Sequence, residues 1–332
     1  MYGIIIFVYM KYFTTIVLLL FVACSLNKED ENTIEIFRFE NQLFKTNDSN
    51  IFADRLKWED KVGSFASSYY NFLFNTNNDT IVNSQILSFI NNNDMREVYD
   101  SINMRFSSIT NLKDNIGNSV YNFKTLFPEY PIPNIITMFS GFNYGIIVED
   151  SLIAIGLDFY LGKNSVFYQR LGDPEYLRFQ KQARFVTPNV LEAWYDSFFS
   201  FTNKRNNFLS ELIYKGKIMY LISITLENFP LADQLRFSNN DLEWCDKNES
   251  SIWAFLIDND LLFSSREKEY RSYLNHAPFS KGMTQESPSR IAYFIGYNIV
   301  EKYMKNNNEV SINELMFEED FMKILNQSKY KP

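Results

Sequence analysis

The chain has 332 residues, of which 46% are hydrophobic and 17% are aromatic, and it carries a formal net charge of −8. This composition excludes an intrinsically disordered chain and is sufficient for a large buried core. Lysine and arginine do not cluster into the basic stripe that neutralises phosphates, so nucleic acid is not an expected partner.

The amino terminus has the pattern of an export signal. Lys11 precedes a short apolar run over residues 12–23, and Cys24 follows directly. A basic residue, an apolar segment of about 7–15 residues and small residues at the cut are typical of a secretory signal. A cysteine at this point is typical of a lipoprotein, in which the thiol receives a diacylglycerol before cleavage. We therefore predict residues 1–23 as the signal peptide and Cys24 as the lipid attachment site, acylated with fatty acids such as palmitate.

A membrane-spanning signal anchor is the alternative reading of the same segment. If translation begins at Met1, residues 4–23 are long enough to cross a bilayer, but Lys11 then lies inside the span. A lysine there costs about 2.5–3.5 kcal/mol, which favours the lipoprotein. Whether Met1 or Met10 is the start stays open. The polar residues 24–32 are predicted as a tether, either a solvated linker or a sorting signal for surface export.

The body begins with a predicted strand and a helical region. Residues 33–39 alternate apolar and polar side chains, as a strand does, and residues 41–116 have a mainly helical pattern. Three β-rich runs follow, over residues 134–142, 145–149 and 152–158, separated by short turns. Runs so close together predict a meander of short strands.

The second half of the chain is predicted to be helical, with helices starting at residues 187, 207, 238, 287 and 311. Thr187 is expected to cap the first of them, with Pro188 at its first position. In the helix from Ser287, apolar residues recur every four positions and predict a buried stripe of Ile291, Ile295, Ile299 and Tyr303. No internal repeat or proline-rich linker divides the body. Residues 33–332 are therefore predicted as a single α+β domain.

Few residues support a recognised chemistry. His276 is the only histidine, so the zinc-protease pattern H-E-x-x-H is absent from the sequence, as are the glycine-rich loops that bind nucleotides. His276 precedes Ala277-Pro278, which favours a solvated or capping residue over a member of a Ser-His-Asp triad. Cys245 follows a tryptophan and is expected to be a buried thiol. With Cys24 lipidated, no disulfide is inferred.

Carboxylates and aromatic residues are the remaining candidates for a site. The carboxylates are expected to form charged faces or helix-terminus contacts rather than an acid–base pair; they are Glu192, Glu211, Glu243 and Glu286. The aromatic residues are expected to be core residues rather than the wall of a ligand groove; they are Trp194, Tyr195, Trp244 and Trp253.

Several stretches of the body resemble the gliding motility lipoprotein family GldB. They are residues 153–162, 209–220, 242–249 with 252–254, 287–292 and 328–332, and their order and spacing cover most of residues 33–332. The resemblance implies a cell-envelope lipoprotein that is required for gliding motility and for the secretion machinery associated with it. Its expected partners are other envelope proteins, and the membrane through its amino-terminal lipid. The membrane side, periplasmic or outer surface, stays open.

The family is also distantly similar to predicted zinc proteases, in which an H-E-x-x-H helix precedes a Leu-Ile-x-Glu-Gly segment with a third ligand. Here residues 192–198 contain no histidine, and the residue before Gly216 is Lys215, whose ammonium would repel Zn²⁺. If a zincin-like fold is retained, it is therefore a degenerate one without its metal, and no cofactor is expected. We expect a non-enzymatic structural or interaction component. The alternative is an envelope hydrolase that uses paired carboxylates in a groove, without zinc.

Overall fold

The computed structural model describes residues 34–76, 78–201 and 207–332. The predicted signal peptide, Cys24 and the tether lie outside the described residues. The described body is mainly helical with a small four-stranded sheet, which confirms the α+β class. Within these ranges, no helix combines the length and the apolar character needed to cross a membrane.

The helices and strands follow one another along the chain in this order. The first half contains β1 (Ile36–Arg38), α1 (Phe39–Lys45), α2 (Ile51–Val62), α3 (Phe65–Phe74), α4 (Asp79–Asn91), α5 (Asn93–Arg105), α6 (Thr110–Leu126), β2 (Asn134–Met138), β3 (Ile146–Glu149), β4 (Leu152–Gly156) and a 3₁₀ turn (Leu157–Tyr160). The second half contains α7 (Val166–Arg170), α8 (Glu175–Gln180), a 3₁₀ turn (Ala183–Phe185), α9 (Val186–Phe198), α10 (Phe208–Thr225), α11 (Leu231–Leu235), α12 (Asn239–Asp258), α13 (Glu267–Leu274), α14 (Ile291–Asn306), α15 (Ile312–Phe317) and α16 (Phe321–Ser328).

The sheet is mixed, with strand order β1-β2-β4-β3. All the predicted strands are present, but their pairing is not that of a simple meander, because β4 lies between β2 and β3. β4 runs parallel to β2, with Asn134 opposite Leu152, and antiparallel to β3, with Glu149 opposite Leu152. The side chains explain this order. β4 is buried at every position, as a central strand requires, whereas β3 is half-buried throughout and forms an edge.

Two predicted helix starts differ from the structure. Helix α9 begins at Val186, so Thr187 and Pro188 lie inside its first turn, where the missing amide N–H of proline is tolerated. Helix α14 begins at Ile291, because Arg290 adopts a left-handed backbone conformation with φ 61°. The other three starts are confirmed, with side-chain caps at Asn207, Ser238 and Ser311.

The core is rich in aromatic rings and includes residues of both the helices and the sheet. The predicted stripe of α14 is confirmed, since Ile291, Ile295, Ile299 and Tyr303 are buried. Trp194 and Tyr195 are also buried and contact the ring of Phe123, while Trp244 and Trp253 are half-buried against the core. Cys245 is a free, fully buried thiol, and burial raises its pKa, which confirms the prediction of an unreactive core residue.

Candidate functional site

The four candidate carboxylates have separate surroundings. Glu243 is exposed and pairs with Lys247 one helical turn away, and Glu286 is exposed. Glu211 accepts a hydrogen bond of 2.6 Å from the hydroxyl of Tyr270. Only Glu192 lies at the meeting point of several ionisable groups from different elements. The candidate site is therefore built around Glu192, which the sequence had placed on a charged helix face.

The Glu192 carboxylate accepts hydrogen bonds from four side chains. Its Oε2 atom lies 2.5 Å from Nη2 of Arg236 and 3.4 Å from Nη2 of Arg290. Its Oε1 atom lies 3.3 Å from Nζ of Lys215 and accepts from the hydroxyl of Tyr293 at 3.1 Å. Because these residues come from α9, α10, the end of α11 and the start of α14, one carboxylate joins four elements.

The two arginines have the same unusual backbone conformation. Arg236 has φ 60° and Arg290 has φ 61°, in the left-handed region that side-chain-bearing residues rarely occupy. Arg236 ends α11 and donates to Oδ1 of Asn189 and to the carbonyl of Pro188, each at 2.7 Å. Arg290 precedes α14, and its guanidinium lies 3.8 Å from the centroid of the Tyr293 ring. Such backbone strain persists where the surrounding contacts determine the position, as they do here.

The electrostatics of the network keep Glu192 ionised. Burial would raise the pKa of this carboxyl, but Arg236, Lys215 and Arg290 together hold the pKa far below its usual range. A general acid must carry a proton near neutral pH, and an effective general base has a pKa close to the working pH. Glu192 meets neither requirement, because its charge is already compensated by three cations.

Lys215 lies between two carboxylates of α9. Its Nζ atom is 2.7 Å from Oδ2 of Asp196 and 3.3 Å from Oε1 of Glu192, which is four residues earlier and so on the same helix face. Asp196 also accepts from the hydroxyl of Tyr214 at 2.7 Å. The donor set does not fit a zinc site, because an ammonium stands between the two carboxylates that converge here. Throughout the described ranges, no three His, Cys, Asp or Glu side chains converge as metal ligands would.

An open cleft of about 410 Å³ adjoins the network. Lys215, Tyr293 and Asp196 reach it from the network, and Glu211, Glu267 and Arg271 form the other charged part of its lining. The cleft therefore presents mixed charge rather than one sign. His276 lies on the segment after α13 and is exposed, but desolvation by the neighbouring protein atoms and the charges of Arg290 and Arg236 lower its pKa to about 3. It therefore lies near the charged network.

Sequence reasoning missed most of this site. Arg236, Arg290, Tyr293 and Asp196 were not candidates, because their contacts join elements far apart in the chain and follow no local spacing. Of the network's cations, only Lys215 was noted from the sequence, because it stands before Gly216 where the similar zinc proteases have a metal ligand.

Fold and site together define an α+β protein whose central carboxylate is neutralised by basic side chains and whose residues do not fit a metal centre. The profile of the family described as "Gliding motility protein GldB" matches residues 25–332, and the chain belongs to this family of gliding motility lipoproteins. The resemblance found in the sequence is thereby confirmed. No curated protein and no solved structure matches the chain significantly. Membership of the family associates the chain with gliding motility and with the cell envelope.

Proposed function

We propose that the chain is a lipid-anchored component of the cell envelope that supports gliding, and the secretion machinery associated with it, by contacting other envelope proteins. It carries out no reaction of its own. The main support is the state of Glu192. This buried carboxylate is the group best placed for chemistry, yet three cations and a tyrosine hydroxyl occupy its oxygens. Its arrangement holds four elements together and leaves neither oxygen of the Glu192 carboxylate free to act as an acid or a base.

Attachment through Cys24 is part of the proposal. The family match begins at Ser25, directly after this cysteine, and the export signal precedes it. A single acyl chain binds a membrane only marginally, so durable attachment requires several chains. A diacylglycerol on the thiol, with a further acyl group on the new amino terminus, would satisfy that requirement.

A metal-free hydrolase remains the alternative, favoured by one observation: three carboxylates line the 410 Å³ cleft. Two of them are already engaged, Asp196 by Lys215 and Glu211 by Tyr270. Glu267, in the first turn of α13, is the third.

Gliding complementation separates the two functions. In a strain lacking its own copy of the gene, we expect Glu211→Gln, Glu267→Gln and the double variant to restore gliding and secretion as well as the wild type does. Glu243→Gln, exposed and distant in sequence from the cleft, is the matched control. If the cleft variants accumulate normally but gliding is lost while the control glides, the chain is an enzyme and the proposal is wrong.

Partner contact is tested on the same strains. Affinity purification of the tagged chain from detergent-solubilised envelopes, followed by mass spectrometry, should recover the same envelope proteins with the wild type and with the cleft variants. Recovery of no envelope protein above the untagged background, even after chemical crosslinking in cells, would contradict a role through contacts.

A further inference from the structure

A second, larger cavity lies between the start of α10 and the segment that joins α15 to α16, and it shares Ser200, Phe201 and Tyr214 with the cleft beside the charged network. Its volume is about 570 Å³, within the range of ligand pockets. Its lining combines polar residues with a group of aromatic rings; the rings among the described lining residues are Phe198, Phe199, Phe201, Tyr214, Phe263, Phe317 and Phe321. Two of these rings, Phe263 and Phe317, are 61% and 55% exposed. A cluster of large apolar side chains in contact with water is the usual mark of a binding surface.

One buried cation faces this aromatic cavity. Lys217 lines it and is only 3% exposed. Its Nζ atom donates to the backbone carbonyl of Glu318 at 3.0 Å and lies 5.6 Å from the centroid of the Phe321 ring. An ammonium has three N–H donors, and the described residues give this one a single hydrogen-bond acceptor and no carboxylate at ion-pair distance. A buried charge without a counter-ion is costly, so the position favours an anionic ligand group.

The acidic residues of the cavity do not serve as that counter-ion. The Glu318 carboxylate accepts from Nζ of Lys323 at 2.5 Å and from the amide of Asp320 at 2.9 Å. Asp320 caps α16 by accepting from the amide of Lys323 at 3.0 Å. Glu319 is exposed at the rim. Because Glu319 and Asp320 carry negative charge at the cavity's edge, they disfavour a ligand with more than one negative charge.

We propose that this cavity binds an apolar monocarboxylate of the fatty-acid class, with its carboxylate on the Lys217 ammonium and its hydrocarbon chain among the phenylalanine rings. Lys217 is the one cation among the described lining residues and matches a single carboxylate, and the rim acids select against phosphate dianions. Burial lowers the pKa of Lys217 to about 8, although Glu318 and Glu319 raise it. Binding of the carboxylate should therefore weaken as the pH rises above 8. The acyl chains of the protein's own anchor are esters and amides, so they offer Lys217 no carboxylate.

Photolabelling of the full-length lipidated chain, held in amphipol, tests the site. The probe is a palmitate analogue that bears a free carboxylate, a diazirine and an alkyne. We expect labelled peptides from residues 198–201 and 316–322, and competition by palmitate but not by methyl palmitate or hexadecyl phosphate. Lys217→Met should reduce labelling about tenfold or more, as expected for a lost charged hydrogen bond. Lys305→Met, an exposed lysine of α14, is the matched control and should label as the wild type does.

Two further variants guard against a folding artefact. Phe317→Ser changes an exposed rim residue without touching Lys217, and it should weaken labelling while leaving the melting temperature unchanged. Lys217→Arg keeps the positive charge at high pH, so its labelling should persist at pH 10, where wild-type labelling is lost. The proposal is overturned if Lys217→Met and Lys305→Met label equally, if methyl palmitate or hexadecyl phosphate competes as well as palmitate, or if the label lies outside the cavity.

Discussion

Gly216 of α10 and Gly296 of α14 lie in direct backbone contact where the two helices cross. A Cβ atom placed on Gly216 would lie 2.2 Å from the carbonyl carbon of Gly296, and one on Gly296 would lie 2.1 Å from the carbonyl oxygen of Leu212. The close approach brings Lys215, the neighbour of Gly216, to the Glu192 network. The absence of a side chain at both positions therefore fixes both the packing and the charged centre.

Gly216→Ala should destabilise the fold by about 3 kcal/mol or more, because the added methyl group collides with backbone that cannot move aside cheaply. Urea unfolding followed by circular dichroism measures the difference. Lys305→Ala, on the exposed side of α14, should change the free energy of unfolding by no more than about 0.5 kcal/mol. If the two variants unfold at the same urea concentration, the helices do not cross as closely as described.

Glu192→Gln should lower the free energy of unfolding by about 3–5 kcal/mol, because it leaves Arg236, Arg290 and Lys215 buried together without their shared counter-ion. Glu243→Gln removes an exposed carboxylate of similar size and is expected to be nearly neutral. Thermal melts of both variants provide the comparison. A melt of Glu192→Gln that matches the wild type would show that the network contributes nothing to stability.

Asp158 should make stability depend on pH. Its carboxylate accepts from the amide and hydroxyl of Ser140 and from the amide of Phe142, yet burial outweighs these bonds and raises its pKa to about 6. The folded chain thus holds this proton more tightly than the unfolded chain does. Protonation of Asp158 therefore contributes to the free energy of unfolding. This contribution is complete below about pH 4 and is lost as the pH rises to 6, which changes the free energy of unfolding by about 3 kcal/mol.

The comparison with Asp158→Asn isolates this titration from the others. Asparagine does not ionise, so the stability of the wild type relative to the variant should fall between pH 4 and pH 6.5 in urea unfolding experiments. The variant should also be less stable at every pH, because its amide nitrogen cannot accept from the loop amides. A constant difference across this pH range would mean that Asp158 does not titrate there.

Cys24→Ser should abolish incorporation of a clickable palmitate analogue and should leave the signal peptide uncleaved, since we propose that the thiol accepts the lipid. In-gel fluorescence and the change in apparent mass report the two effects. Cys245→Ser is the matched control, because that thiol is fully buried and should not affect labelling. Undiminished labelling of the Cys24 variant would rule out this attachment site.

Zinc should be far below one equivalent in the purified chain, as measured by elemental analysis, because Lys215 places an ammonium between Glu192 and Asp196. Incubation with excess Zn²⁺ followed by desalting should not change this result. A tightly held, stoichiometric metal would show that other carboxylates of the chain form a site.

The sequence was most informative about features that depend on residues close together in the chain. Helix starts at Asn207, Ser238 and Ser311, and the apolar stripe of α14, depend on residues within one or two turns and were predicted correctly. The order of the strands could not be obtained in this way, because the position of β4 between β2 and β3 depends on which strand is buried on both faces. The Glu192 network was also out of reach, since its partners come from four elements that only the packing brings together.

The strand nearest the tether is paired across a long stretch of chain. Ile36 of β1 lies opposite Ile135 of β2, so the six helices between them must be synthesised before β1 finds its partner. Contacts between residues this distant form late, because closing so long a loop costs conformational entropy. β1 therefore stays an unpaired strand while the helices behind it take shape. In the anchored chain that we propose, the last part of the sheet to close is the part that follows the anchor in sequence.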